Sequence, residues 1–268
     1  MKLALAQLAV DGGDLVTNRE RAIEAIERAG AMDADLVALP ELFSVGYFAF
    51  DAYERSAEAI DGPTLTALAD AAAAADTAVL AGTVIEDLAA TTDVPTPADT
   101  GLANTAVLFD ASGERRLVYR KHHLFGYDST EAEQLVSGDR LAVATIGGFT
   151  IGVTTCYDLR FPELYRSLVE AGATLTLVPS AWPYPRVEHW NLLPRTRALE
   201  NLMYVAAING AGAVNGETLV GRSMVVDPWG TPIAKTGAEP DMVTARLDPE
   251  RVMTVRDEFP ALADRRSE

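Results

Sequence analysis

The sequence predicts an α/β fold built from mixed β-sheets with helices over them. Three observations carry this reading. Short apolar runs alternate with helical patterns along the whole chain, glycine-containing turns join two pairs of extended runs, and no stretch resembles a linker or a repeat. Units of βα type bring parallel strands, while hairpins bring antiparallel ones, so the sheets are mixed. So many strands in 268 residues fit two sheets packed face to face with helices outside. The expected organisation is one domain over residues 1–268.

The elements follow in order. Lys2–Ala9 is the first strand. Its single lysine and short apolar run have the look of a signal peptide, but Gln7 and Asp11 interrupt the run and no cleavage site follows. Thr17-Asn18-Arg19-Glu20 has the form of a capping box, which opens a helix to about Met32. Asp35–Pro40 is a short buried strand. Gly62-Pro63 starts an Ala-rich helix through about Ala75. Thr77–Glu86 reads as one strand, and Leu88–Gly101, rich in Thr, Pro and Asp, as a loop. Ala111-Ser112-Gly113 turns Asn104–Asp110 back onto Glu114–Arg120, and Gly147-Gly148 does the same for Leu141–Ile146 and Phe149–Thr155. Pro162 and Gly172 delimit the next helix. Thr174–Pro179 is a strand, Val187–Leu202 a helix and Tyr204–Asn209 a strand. Ser223–Asp227 and Val243–Leu247 are later strands, and Asp248–Val255 is a last short helix.

Composition excludes several function classes. Hydrophobic residues make up 49% of the chain, which places it among globular proteins. Net charge is −17, from 22 Lys and Arg against 39 Asp and Glu, so phosphate backbones are repelled and no nucleic-acid partner is expected. The acid is spread along the chain, as solubility or a salt-adapted host would require. Apolar runs such as Ala71–Ala75 and Tyr204–Ile208 are far too short for a bilayer, so no membrane partner is expected. Cys156 is the single cysteine. It rules out an intrachain disulfide and fits a reducing, cytoplasmic setting.

Three reactive side chains lie just past strands. Asp35–Pro40 runs into Glu41, Glu114–Arg120 into Lys121, and Phe149–Thr155 into Cys156. Taken singly, each has an ordinary reading: a capping acid, a solvated lysine, a packed thiol. Together they mark a site, because ligands gather at the carboxyl ends of strands in α/β proteins. Cys156 stands on a tight strand-to-helix turn ahead of Pro162, which exposes sulfur and aims backbone N–H groups at a ligand. The helix N-terminus and a lysine would both favour thiolate over thiol.

The words around these residues resemble the nitrilase superfamily of carbon–nitrogen hydrolases. They are Leu39-Pro40-Glu41-Leu42-Phe43, Tyr119-Arg120-Lys121-His122-His123-Leu124-Phe125, and Thr155-Cys156-Tyr157-Asp158-Leu159-Arg160-Phe161-Pro162-Glu163-Leu164. The order Glu41, Lys121, Cys156 matches the family's catalytic triad. The resemblance implies an α-β-β-α sandwich with two mixed β-sheets, assembled as a homodimer or larger homo-oligomer through helix packing. It also implies a second glutamate after the lysine word. Glu131 and Glu133 both compete, and the offset to Gly138-Asp139 favours Glu131.

The implied chemistry is hydrolysis of a small aliphatic or ω-amide to acid and ammonia through a thioester on Cys156. Glu41 would serve as general base and Lys121 with the Tyr157 N–H as oxyanion donors, while Glu131 positions Lys121 or the substrate nitrogen. Ser180-Ala181-Trp182-Pro183 and Arg186-Val187-Glu188-His189-Trp190 are similar to ω-amidase-like members. Tyr47, Tyr157, Ala181 and Trp182 are the candidate substrate-binding residues. Arg197-Ala198-Leu199-Glu200-Asn201 resembles a common family word of structural or interface character.

Other readings make distinct expectations. Nitrile or N-carbamoyl hydrolysis belongs to the same superfamily, though Cys156-Tyr157-Asp158 resembles the amidase branches more closely. A Cys–His hydrolase would make His123 indispensable, whereas in the triad reading His123 orients its loop. Metal binding by His122, His123 and His189 lacks a ligand spacing that supports zinc. A silent binding protein would have no use for an intact Glu, Lys, Cys set. Gly210-Ala211-Gly212-Ala213-Val214 lacks the third glycine and opening helix of a dinucleotide site, so no cofactor is expected.

Overall fold

A computed structural model describes residues 1–126 and 129–266. The first half contains β1 (Lys2–Gln7), α1 (Leu15–Ala31), β2 (Leu36–Ala38), α2 (Tyr53–Ser56), α3 (Pro63–Ala75), β3 (Ala78–Leu80), β4 (Val84–Asp87), β5 (Leu102–Phe109), β6 (Arg115–Arg120) and α4 (Thr130–Gln134). The second contains β7 (Val143–Ile146), β8 (Phe149–Val153), α5 (Pro162–Glu170), β9 (Leu175–Ser180), α6 (Val187–Asn201), β10 (Tyr204–Asn209), β11 (Ala213–Val214), β12 (Glu217–Thr218), β13 (Met224–Val226), β14 (Pro232–Lys235), β15 (Asp241–Arg246) and α7 (Pro249–Glu258).

The first sheet runs β15-β1-β2-β3-β5-β4, with β6 also paired to β5, and the second runs β14-β13-β10-β9-β8-β7. Both are mixed. β1, β2 and β3 are parallel while β15 and β5 flank them antiparallel. β8, β9 and β10 are parallel between antiparallel neighbours.

The layers follow from which face each strand buries. Leu3, Leu5 and Leu36 of the first sheet meet Ile151, Val153, Leu175 and Leu177 of the second in a core between the sheets. The opposite face of the first sheet packs Val37 and Val79 on Ile26 of α1 and Leu68 of α3. The opposite face of the second packs Val178 and Val205 on Tyr165 of α5 and Trp190 of α6. Strands buried on both faces read as continuous apolar runs instead of alternating ones, as β1 and β9 do. The result is an α-β-β-α sandwich.

One buried polar residue ties the sheets together. Gln7 on β1 accepts hydrogen bonds from Ser223 N (2.9 Å), Ser223 Oγ (2.8 Å) and Thr236 Oγ1 (2.7 Å). Its Nε2 donates to Gly237 O at 3.0 Å and Glu239 O at 2.6 Å. The side chain is 1% exposed, so these partners replace the water it gives up.

Two local expectations are corrected. The helix expected from a capping box at Thr17 begins at Leu15, because Asp14 is its N-cap and accepts from Thr17 N at 3.1 Å. The strand expected over Thr77–Glu86 is broken into β3 and β4 at Gly82. There φ is +49°, and a Cβ would stand 2.0 Å from Pro40 O. The chain must bend there to clear the backbone that leads into Glu41.

Candidate active site

Each candidate side chain is held by the segment just past a strand. Glu41 follows β2. Its own N–H reaches Ser180 O of the second sheet at 3.4 Å, and the next residue, Leu42, adopts φ +46° with its N–H on Thr83 Oγ1 at 2.8 Å. Lys121 is the first residue past β6, with its N–H on Asn104 O at 2.8 Å and its carbonyl accepting from Gly138 N at 2.9 Å. The preceding Arg120 grips buried Glu86 with two bonds of 2.7 Å, which fixes the end of β6. Glu131 sits on α4, a helix of five residues. Glu131 is fully buried and Glu133, on the other face of that helix, is exposed. Of the two competing glutamates, Glu131 is the one placed against Lys121, at 2.7 Å.

Cys156 opens a 3-10 turn, Cys156–Arg160, that intervenes between β8 and α5. Its φ is +45°, a left-handed conformation that a non-glycine residue adopts only where the surroundings impose it. Asp158 imposes it. This buried carboxylate accepts from Thr155 N (2.8 Å), Tyr119 Oη (2.6 Å) and His123 N (2.9 Å), and its Oδ1 lies 2.8 Å from His123 Nδ1. The His123 ring in turn stacks on Phe161 at 3.6 Å. Of the remaining histidines, His189 pairs with Arg160 at 3.1 Å. Among the described residues no three His, Cys, Asp or Glu side chains are grouped as metal ligands.

The side chains converge across the seam between the sheets. Lys121 Nζ donates to Glu41 Oε1 at 2.8 Å and to Glu131 Oε1 at 2.7 Å. Asn104 Nδ2 donates to the same two oxygens, at 2.9 and 3.4 Å. Glu41 Oε2 accepts from Ala181 N at 2.9 Å, and Glu131 Oε2 accepts from Tyr47 Oη at 2.9 Å and Phe125 N at 2.6 Å. Glu41, Lys121 and Glu131 come from the first sheet's side, Cys156 and Ala181 from the second's.

Burial sets the proton balance. It raises the Glu41 carboxyl above its usual range; Lys121 opposes the rise and Glu131 adds to it. Burial pulls the Lys121 ammonium down, but Glu131 and Glu41 outweigh it and hold the lysine charged. Burial also pushes the Cys156 thiol well up, and Glu41 pushes it further against Lys121 and the Ala181 N–H. The expectation of a lowered thiol is thus corrected: the helix end and the lysine are outweighed by loss of water and by the adjoining carboxylate. Burial and the neighbouring Glu41 favour the neutral thiol over the thiolate at Cys156.

Cys156 and Lys121 both face a cavity of about 480 Å3. All four candidate substrate-binding residues line it: Tyr47, Tyr157, Ala181 and Trp182. Phe48, Phe50, Phe125 and Pro183 add apolar wall, and Arg160, Arg186 and Glu217 add charge. Arg160 lies over Trp182 at 5.0 Å, and Arg186 over Phe125 at 5.7 Å. Asp158 N closes the turn that Cys156 opens by donating to Thr155 O at 2.9 Å, which leaves the N–H groups ahead of it turned toward the cavity side. One of them belongs to Tyr157.

The carbon–nitrogen hydrolase family profile matches residues 2–257. The chain belongs to the carbon–nitrogen hydrolases of the nitrilase superfamily. A 2-oxoglutaramate amidase from Paenarthrobacter nicotinovorans is 33% identical to it over 272 residues, covering 100% of this chain and 90% of the relative. The crystal structure of Saccharomyces cerevisiae Nit3, a member of branch 10 of the nitrilase superfamily, shares 31% identity. It superposes with a TM-score of 0.86 over 97% of this chain and 94% of that one. A structure of the amidase from Nesterenkonia sp. AN1, in which acrylamide has added to the active-site cysteine, shares 26% identity. Its TM-score is 0.79 over 98% and 99% of the two chains.

For this carbon–nitrogen hydrolase, the sequence reading missed Asn104, Arg160 and Arg186 as site residues. Arg160 and Arg186 lie inside words that carry the family resemblance. Asn104 sits in mid-strand, where nothing in the pattern distinguishes it.

Proposed function

We infer that this hydrolase cleaves a small amide bearing a carboxylate at its far end, an ω-amide, to the dicarboxylic acid and ammonia. The observation that carries the reading is the meeting of a buried thiol, a carboxylate and an ammonium at one cavity wall. Cys156 Sγ attacks the amide carbon while Glu41 takes its proton. Lys121 and the Tyr157 N–H stabilise the oxyanion, each such donor lowering the barrier by about 3–4 kcal/mol. Glu41 then returns the proton to the departing nitrogen, leaving a thioester on Cys156. Glu41 next activates a water, which attacks the thioester, and the acid leaves with the thiol restored. Glu131 holds Lys121 in place.

The charged lining of the cavity supports the ω-amide. Arg160 and Arg186 stand among apolar walls, where a guanidinium pairs with a carboxylate better than in open water. A 2-oxoglutaramate amidase among the relatives is named for a substrate of this shape. The test is ammonia release from glutaramate-type ω-amides against acetamide and propionamide, with Cys156→Ala as control. The ω-amides should turn over faster, and Arg160→Ala should raise their KM while leaving that of acetamide alone. Equal rates on both classes would refute the carboxylate preference.

We further propose that residues 1–268 act as one catalytic unit in the cytoplasm, as a homodimer or larger assembly. Leu192 and Leu199 of α6 are exposed, and Leu199 adjoins Gly230 beside the exposed Trp229–Phe259 ring pair. A contiguous apolar surface of this kind suits a second copy. Sedimentation should show a dimer or larger species that Leu199→Asp dissociates.

A further inference from the structure

Among the described residues, Asn104 is the one uncharged polar side chain that spans both carboxylates of the site. It lies on β5, is fully buried, and holds Lys121 from both ends. Its main-chain carbonyl accepts from Lys121 N at 2.8 Å. Its Nδ2 donates to Glu41 Oε1 at 2.9 Å and reaches Glu131 Oε1 at 3.4 Å, the two oxygens that also receive the lysine Nζ. The amide cannot be the other way round. Rotating it would set a carbonyl oxygen against two carboxylate oxygens.

The other half of the amide shows what the position demands. Asn104 Oδ1 is buried and has no hydrogen-bond partner among the described residues. An orphaned acceptor is unfavourable, and a leucine of similar size would avoid it. Its retention points to the donor half, Nδ2, as the part in use.

The two oxygens of Glu41 are thereby made unequal. Oε1 accepts two bonds, one from an ammonium and one from an amide, and has no capacity to spare. Oε2 accepts from Ala181 N at 2.9 Å. Ala181 lies in the same cavity wall as Cys156, which puts Oε2 on the nucleophile's side. We propose that Asn104 is a positioning residue that commits Oε2 of Glu41, not Oε1, to proton exchange with the Cys156 thiol. In that step the Sγ–H bond breaks, the Oε2–H bond forms, and the electron pair left on sulfur attacks the amide carbon. The inference rests on the proposed role of Glu41 as the proton acceptor.

Removing the Nδ2 donor frees Oε1 to take a proton and leaves two carboxylates less well separated. Both effects make Glu41 easier to protonate. In Asn104→Leu the acid limb of kcat/KM should therefore move to higher pH by on the order of one unit. The kcat at pH 7 should fall about tenfold or more, with KM changed little. Asn104→Asp keeps the side-chain shape and should move the limb the same way, so it serves if the leucine variant does not fold. The companion measurement is the pH dependence of Cys156 alkylation by iodoacetamide, which needs no turnover. Glu41→Gln should abolish the acid-side inflection of alkylation, and the Asn104 variants should shift it upward. An inflection unmoved in both Asn104 variants but lost in Glu41→Gln would overturn this inference alone. An inflection unchanged in Glu41→Gln would overturn the role of Glu41 itself. Equal loss of rate at every pH would reduce Asn104 to scaffolding.

Discussion

Lys121 and Glu131 form an ion pair of 2.7 Å in which the lysine is 1% exposed and the glutamate 0%. The same ammonium is 2.8 Å from Glu41, so one cation holds two buried anions. Removing one partner of a buried pair leaves the other uncompensated, at a cost of about 3–5 kcal/mol. Lys121→Met should thus lose most of its stability margin as well as its turnover, read as a lowered urea midpoint. Glu131→Gln keeps the shape and one acceptor, so it should unfold nearer the parent while kcat falls about a hundredfold.

The proton balance predicts a broad activity profile displaced upward in pH. In the proposed mechanism, turnover needs Glu41 ionised and Cys156 carrying its proton. Glu41 is raised above the ordinary 4.5, so the rise of kcat/KM begins on the alkaline side of that value. The thiol is raised well above 9.0 and the lysine well above 10.5, so neither is lost as the pH climbs to 9. A plateau through pH 9 is expected in ammonia-release assays. A fall between pH 7 and 8.5 would show that the thiol titrates in the usual range.

His123 faces Asp158 and stacks on Phe161, which makes it part of the wall that shapes the cysteine turn. His123→Ala should lower kcat about tenfold by loosening that turn and should leave alkylation of Cys156 intact. Abolition of activity in this variant, with its melting temperature unchanged, would favour a Cys–His dyad.

Gly82 meets the carbonyl of Pro40 so closely that an added methyl group would overlap it. Gly82→Ala should cost about 2–4 kcal/mol, from a positive φ plus the clash. Because Pro40 leads directly into Glu41, the folded fraction should also show reduced kcat. Thermal melts and active-site titration together separate the two effects.

Much of this was readable before any coordinates. Glu41, Lys121 and Cys156 are legible because each follows a strand and stands in a word that resembles the family, both carried in local sequence. The offset to Gly138-Asp139 already favours Glu131 over Glu133, but the helix of five residues that buries Glu131 is too short to show a period. Tyr47 was read as pocket wall, and it is one, but its hydrogen bond to Glu131 spans 84 positions of chain and leaves no local trace. The split of Thr77–Glu86 leaves no local trace for the same reason: the obstacle at Gly82 is the carbonyl of Pro40, from the segment past β2. The direction of the thiol shift was misjudged because a helix end and a lysine are visible in sequence, whereas the depth of burial is not.

The seam between the sheets has a consequence for the life of the chain before it is complete. The acid–base groups belong to one half of the sandwich and the sulfur to the other, and Gln7 fastens the halves together only once strands from both ends of the polypeptide are present. Until the two halves are joined, the sulfur lacks the carboxylate and the ammonium that stand beside it in the folded site, and the cysteine is no more than an ordinary thiol.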